Sequence, residues 1–296
     1  MRAVTGKWVA TLIGSLVAFA LIYALAVWTA TGQTLENAAL RGARISSDNL
    51  ISLDDAKLQA ISVTSLAVAI LVITAIGFFR GGWRLGFAGG GTIVVSVLSA
   101  EALKRYILPR PDLIDASEKL QHNTLPSGHT TIAMSLLLAT MLVVSYRWRG
   151  LAMLFMMTWA TGIGALTIAA HWHRLSDTLT ANALALAVAS AAALWLARGD
   201  EVHAADPRPY PFRTFYVVLA ALLAAASLAV GLVLAILNVT RNSPGEDIFA
   251  LNSYYAVHSI AFGASILTAL VFWYTMYRLN TGLRSARASS SGQDGR

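Results

Sequence analysis

Two histidines in this chain, His129 and His173, stand among residues that would equip an imidazole to work on an anion. His173 is followed four residues later by Asp177, in the stretch HWHRLSD. That spacing puts both side chains on one face if a helix begins here. A carboxylate on one ring nitrogen fixes the tautomer and leaves the other nitrogen as a directed base or nucleophile. The plainer reading makes Asp177 the N-terminal acid of an apolar helix, with the histidines lying at an interface. His129 closes Pro126-Ser127-Gly128-His129, just ahead of the apolar pattern TTIAMSLLLATMLVV. Ser127 can cap that helix and Gly128 lets backbone approach an anion closely. The free N–H groups and dipole of a helix start attract negative charge. A cap alone needs neither a histidine after it nor Lys104 and Arg110 before it.

These residue types fit transfer of a phosphoryl group. In that scheme His173 attacks phosphorus to give a phosphohistidine, and His129 protonates the leaving alkoxide. Lys104, Arg110 and the N–H groups near Ser127 and Gly128 neutralise charge on the group in flight.

The elements that must position them are set by composition. The chain has 296 residues, 56% hydrophobic and only 12% charged, where soluble domains carry roughly 25% charge. It therefore reads as a membrane protein, an all-α polytopic helical bundle. With no cysteine, disulfides, thiolate zinc sites and cysteine nucleophiles are excluded. The formal charge of +7 sits in short loops beside apolar runs, which fits topology and an anionic bilayer surface and not nucleic acid. The first apolar run has a basic start (Arg2, Lys7) but is about twenty residues long, too long for a signal peptide, and reads as a retained helix.

Eight stretches are long enough to span, near 8–30, 61–79, 85–103, 130–146, 150–170, 178–197, 213–237 and 254–277. Gly86, Gly89, Gly90 and Gly91 mark close helix packing, because no GKS or GKT follows for a nucleotide loop. Alternate connections on the N-terminal side carry thirteen of the 22 cations and four of the 15 acids. This predicts both termini in the cytoplasm and the segments 104–129 and 171–177 together on the outer face. The first outer segment, 31–60, contains LENAALRGARI and LISLDDAKLQAI, the pattern of short amphipathic helices that connect spans or cover the site. The Pro-rich segment 198–212 reads as a cytoplasmic linker, 213–280 as two further spans, and 281–296 as a disordered Ser/Gly/Arg-rich tail.

Taken together the motifs resemble the type 2 phosphatidic acid phosphatases, a family that also includes soluble acid phosphatases and vanadium haloperoxidases. The shared signatures are Lys104…Arg110-Pro111, Pro126-Ser127-Gly128-His129 and His173-Arg174-Leu175-Ser176-Asp177. The resemblance implies a six-helix core over 1–197, with His173 as nucleophile, His129 as acid and Asp177 as the orienting carboxylate. It places the phosphate on Lys104, Arg110, Ser127 and Gly128. Two departures stand out. Five residues separate Lys104 from Arg110 where the family has six, and Thr167 occupies the position of the third-motif arginine. Arg174 and Arg105 are the candidate replacements, and the Thr167 hydroxyl is another.

The expected function is hydrolysis of a membrane-lipid phosphomonoester or diphosphate on the outer face, with no metal or other cofactor. The alternatives are a lipid-phosphate binder without turnover and a lipid phosphotransferase. A metal set of His171, His173 and Asp177 is a further option; a serine hydrolase is disfavoured because no GxSxG elbow occurs. His122, His203, His258, Tyr254 and Tyr255 have no partner motif and read as solvated or packing residues.

Overall fold

Long apolar runs can only be satisfied in lipid as helices, whose backbone bonds close within the segment, and the computed structural model is built almost wholly of them. It describes residues 2–46, 58, 61–114, 122–205 and 210–282. The second amphipathic stretch, apart from Leu58 and Ile61, lies outside the described residues. So do part of the 104–129 segment, four linker residues and the tail from 283 onward.

In chain order the helices are α1 (Arg2–Val27), α2 (Ala30–Ser46), α3 (Val63–Ala102), α4 (Gly128–Val143), α5 (Tyr146–Ala169), α6 (Leu175–Arg198), α7 (Pro211–Arg241) and α8 (Asp247–Thr275). A five-residue π-helical turn, Leu103–Ile107, continues α3. Among the described residues six helices are long and apolar enough to cross a membrane, and the 16-residue α4 is apolar but shorter.

α3 takes in both of the expected spans 61–79 and 85–103, and its glycines explain how. Gly82 takes a left-handed φ of 74° in the middle of the helix. A Cβ on Gly77 would lie 2.7 Å from the Gly86 Cα, and one on Gly86 would lie 3.0 Å from the Thr74 carbonyl. Nine residues of straight helix would separate Gly77 from Gly86 by about 13 Å. The chain therefore doubles back at Gly82, and the two arms are the expected spans 61–79 and 85–103 joined by a tight turn. Gly86 and Gly90 let the arms meet, and Gly89 packs on Val143 of α4; Gly91 faces open space.

α4 is the axis of the bundle, with Thr130, Thr131 and the whole run Ala133–Val143 buried against α3, α5 and α6. It starts at residue 128 because Ser127 caps it, accepting from the Thr130 N–H at 3.3 Å. α5 begins at Tyr146, four residues earlier than the expected span. α2 is amphipathic and its buried face carries Gln33 and Glu36 among alanines.

The helices alternate in direction between two ends. One end gathers α2, the π-helical turn, the start of α4 and the α5–α6 connection. At the other, Arg80 donates to the Thr281 carbonyl (3.2 Å) and Arg149 to the Met276 and Leu279 carbonyls (3.2 and 2.7 Å). There the start of the linker and the stretch after α8 form a two-stranded antiparallel ribbon, β1 (Val202–Ala204) with β2 (Leu279–Thr281). Strands of three residues are too short to show a readable alternation of apolar and polar positions.

Candidate active site

The α5–α6 connection builds the first half of the site. The Thr167 carbonyl, near the end of α5, accepts the N–H groups of Trp172 and His173, both at 3.1 Å, and His171 turns the chain with a φ of 61°. Asp177 lies in the first turn of α6, where an acid suits the helix dipole. Its fully buried Oδ2 accepts from Thr124 Oγ1 (2.5 Å) and the Arg174 N–H (3.0 Å), and pairs with His173 Nδ1 at 3.1 Å. Three neighbours on one oxygen immobilise the carboxylate, which in turn holds the imidazole.

The second half comes from α3 and the start of α4. The Ser127 N–H donates to the Asp177 carbonyl at 3.0 Å, which joins the PSGH segment directly to the His173–Asp177 segment. His129, half-buried, hydrogen-bonds the Leu58 carbonyl, and its ring meets Trp172 edge-on with centroids 5.3 Å apart. It lies within electrostatic reach of His173 and Lys104. Lys104 rises from the π-helical turn, and its Nζ stands 3.8 Å from where a Gly128 Cβ would be. Asn123 ties this turn to the loop by donating to the Leu108 carbonyl at 2.7 Å and the Lys104 carbonyl at 3.2 Å. His129, His173, Asp177, Lys104, Ser127 and Gly128 thus lie at one end of the bundle.

Three cations already have carboxylate partners. Lys104 Nζ lies 2.8 Å from Glu101 Oε1, and Arg105 pairs with the other Glu101 oxygen at 2.9 Å. Arg110, its side chain 2% exposed, places Nη2 3.4 Å from Glu36 Oε2, while its buried Nη1 has no hydrogen-bond partner among the described residues. Burial lifts the Glu36 carboxyl above its ordinary value and nearby Asp177 adds to this, while Arg110 opposes it.

Arg174 is buried beside these groups. Its fork reaches Asn37 Oδ1 (3.4 Å), Thr124 Oγ1 (3.3 Å) and the His122 carbonyl (3.5 Å). Burial and the neighbouring Arg110 lower its pKa, yet a guanidinium has ample range to stay charged. Thr167 is fully buried and its hydroxyl donates to the Gly164 carbonyl at 2.9 Å, inside its own helix. Arg105 is largely exposed and held by Glu101. Of the replacements considered for the third-motif cation, Arg174 is the one in contact with the Asp177 network. Among the described residues no group of three or more histidine, aspartate or glutamate side chains gathers as a metal site.

Sequence reasoning missed the contribution of α2. Gln33 donates to the Pro111 carbonyl at 2.7 Å and accepts from the Leu113 N–H at 3.3 Å. Glu36 holds Arg110, and its Oε1 accepts the Ser176 N–H at 2.8 Å. Asn37 holds Arg174. The polar positions 33, 36 and 37 of the amphipathic pattern were the available signal. They were legible as one face of a helix, without their partners.

Residues 63–201 match the family model described as the PAP2 superfamily. The matched stretch runs from α3 to the residue before β1, and leaves α1, α2, α7 and α8 outside it. No curated protein and no solved structure matches the chain.

Proposed function

We propose that this chain, which belongs to the PAP2 superfamily through residues 63–201, is a multi-pass membrane phosphatase that hydrolyses a lipid phosphomonoester or diphosphate through a phosphohistidine. The observation that carries this reading is the bond of 3.1 Å between His173 Nδ1 and the buried Asp177 carboxylate. It keeps the Nδ1 proton on the carboxylate side and leaves Nε2 as the nucleophile.

In the first step His173 Nε2 bonds to phosphorus as the bond to the leaving oxygen breaks, and His129 gives that oxygen a proton. In the second, His129 takes a proton from water, which attacks the phosphohistidine and releases inorganic phosphate and neutral His173. Lys104, Arg110, Arg174 and the backbone at Ser127 and Gly128 balance the charge on the equatorial oxygens. Asp177 orients and stabilises the imidazole and keeps its own charge. No step calls for a metal.

The positive-inside asymmetry supports cytoplasmic termini and a site on the outer face, in the cell membrane. A cavity of about 310 Å³ between α1, α2, α6, α7 and α8, walled by Leu25, Leu179, Val257 and Ile260, lies against Glu36 and Ser176. It offers an alkyl chain an apolar berth next to the site, which supports a lipid substrate.

The test is phosphate release from a panel of lipid monophosphates and diphosphates, with His173→Ala beside the wild type. The expected loss in the variant is about 10³-fold or more, with inhibition by vanadate and none by EDTA. An unchanged rate in His173→Ala sinks the mechanism. A second reading, a lipid-phosphate binder without turnover, draws on the Glu101 carboxylate against Lys104 and on Thr167 in place of an arginine. Binding of lipid phosphates with no phosphate released across a wide pH range decides for it.

A further inference from the structure

Glu36 is a buried acid beside a site whose expected ligand is an anion, and electrostatics alone would argue against putting it there. It costs desolvation on both sides of a pair with Arg110, and the pair is loose: 3.4 Å against about 2.7–2.9 Å for a good charge-assisted bond. What distinguishes this carboxylate is that its two oxygens hold two different segments. Oε2 meets the Arg110 fork and Oε1 takes the Ser176 N–H at 2.8 Å. Ser176 is the residue before Asp177 and third after His173. Glu36 thus spans from the phosphate-cradle arginine to the helix start that carries the nucleophile pair, three segments distant in sequence.

The rest of α2 works the same way. Gln33, one turn before, grips the chain just after Arg110 through Pro111 and Leu113, and Asn37 holds Arg174. Three residues within two turns of one helix therefore restrain the two buried arginines of the site, Gln33 through the chain that follows Arg110. Among the described residues Arg110 Nη1 has no hydrogen-bond partner and lies buried beside this anchor, so one edge of the fork is fixed and the other is left for an incoming anion.

We infer that Glu36 is a positioning residue that aims Arg110 at the transferring phosphate and sets its register over His173, and that α2 is the element that builds this part of the cradle. The inference rests on the proposed phosphatase reading, and it concerns a helix outside the family match. The rival role for the same pair is a counter-ion that competes with substrate for Arg110.

The two roles predict opposite effects of Glu36→Gln, which keeps the shape, removes the charge and satisfies only one of the two partners. As a positioning residue, its loss weakens vanadate and inorganic phosphate binding to the full-length protein on the order of 10- to 100-fold, with kcat/KM falling in parallel. Glu36→Asp recovers part of the loss. In an Arg110→Lys background, Glu36→Gln adds little further, because it acts through Arg110. Wild-type or tighter binding in Glu36→Gln overturns the inference, as do additive losses in the double variant. If Glu36→Gln does not fold, Glu36→Asp decides alone, since its shorter reach must weaken vanadate binding. Binding is read without turnover. A wild type that binds vanadate but releases no phosphate therefore sinks the phosphatase reading separately, and one that binds neither anion overturns both.

Discussion

At the scale of single residues, the cation that Thr167 does not supply to the proposed site matters most. Thr167 spends its hydroxyl on Gly164, and Arg174 is the buried cation on the Asp177 network. Its bonds to Asn37, Thr124 and His122 are all 3.3–3.5 Å long, so a phosphate oxygen competes well for its fork. Arg174→Gln is expected to lower phosphate release by about 10²–10³-fold, with Arg174→Lys intermediate; wild-type release in Arg174→Gln removes Arg174 from the cradle. Glu36 carries a pH prediction. Burial raises its folded-state pKa above the 4.5 of an ordinary glutamate, so its neutral form favours the fold. Its contribution is fully present below the unfolded value and is lost as pH rises through the raised one. In thermal unfolding series, Glu36→Gln should therefore gain on the wild type as pH rises through that window and keep a constant lead above it. Equal slopes would mean that the Arg110 pair cancels the burial cost. The residues legible in the sequence were those whose partners sit inside one motif, as His173 and Asp177 do four apart. Glu36–Arg110 and Asn37–Arg174, 74 and 137 residues apart, leave no local pattern, because only the packed bundle sets their register.

Elements were easier to read than contacts, since a run of about twenty apolar residues is enough to mark a span. The α3 hairpin shows where that reading stopped. The apolar runs near 61–79 and 85–103 were plain, but the turn between them, RGGWR, has the polar look of any loop. Its tightness depends on the positive φ at Gly82 and on Gly77 and Gly86 meeting. Gly77→Ala puts a methyl 2.7 Å from the Gly86 Cα and the Leu85 carbonyl, with backbone on both sides and nothing flexible to give way. The expected cost is about 1–3 kcal/mol, read as a lower midpoint of unfolding in detergent. Gly91→Ala, with no atom within 4 Å of the new methyl, should be neutral or stabilising by up to about 1 kcal/mol from helix propensity. If the two variants unfold alike, glycine packing does not hold the hairpin shut.

For the whole molecule, the question is what α7 and α8 add to a site made largely within 63–201. They are fastened to the rest at both ends. At the end away from the site, fully buried Arg149 donates to the Val144, Met276 and Leu279 carbonyls, and Thr281 donates to the Leu142 carbonyl at 2.6 Å. At the site end, Gly42 of α2 lies directly on the Ala250 carbonyl of α8, and Arg41 donates to the Pro244 and Glu246 carbonyls. Only the second attachment touches the helix that carries Gln33, Glu36 and Asn37, so the two should fail differently. Arg149→Met strands the Val144 and Leu279 carbonyls at about 1–3 kcal/mol each, while the Met276 carbonyl keeps the Leu279 N–H at 3.2 Å. It should lower the unfolding midpoint sharply while kcat/KM per folded molecule holds. Gly42→Leu drives a side chain into the α8 backbone and must displace α2. It should lower stability and weaken vanadate binding together, in the same direction as Glu36→Gln. Were Gly42→Leu to destabilise the fold with vanadate affinity intact, α8 would be a brace for the bundle and not a support for the cradle.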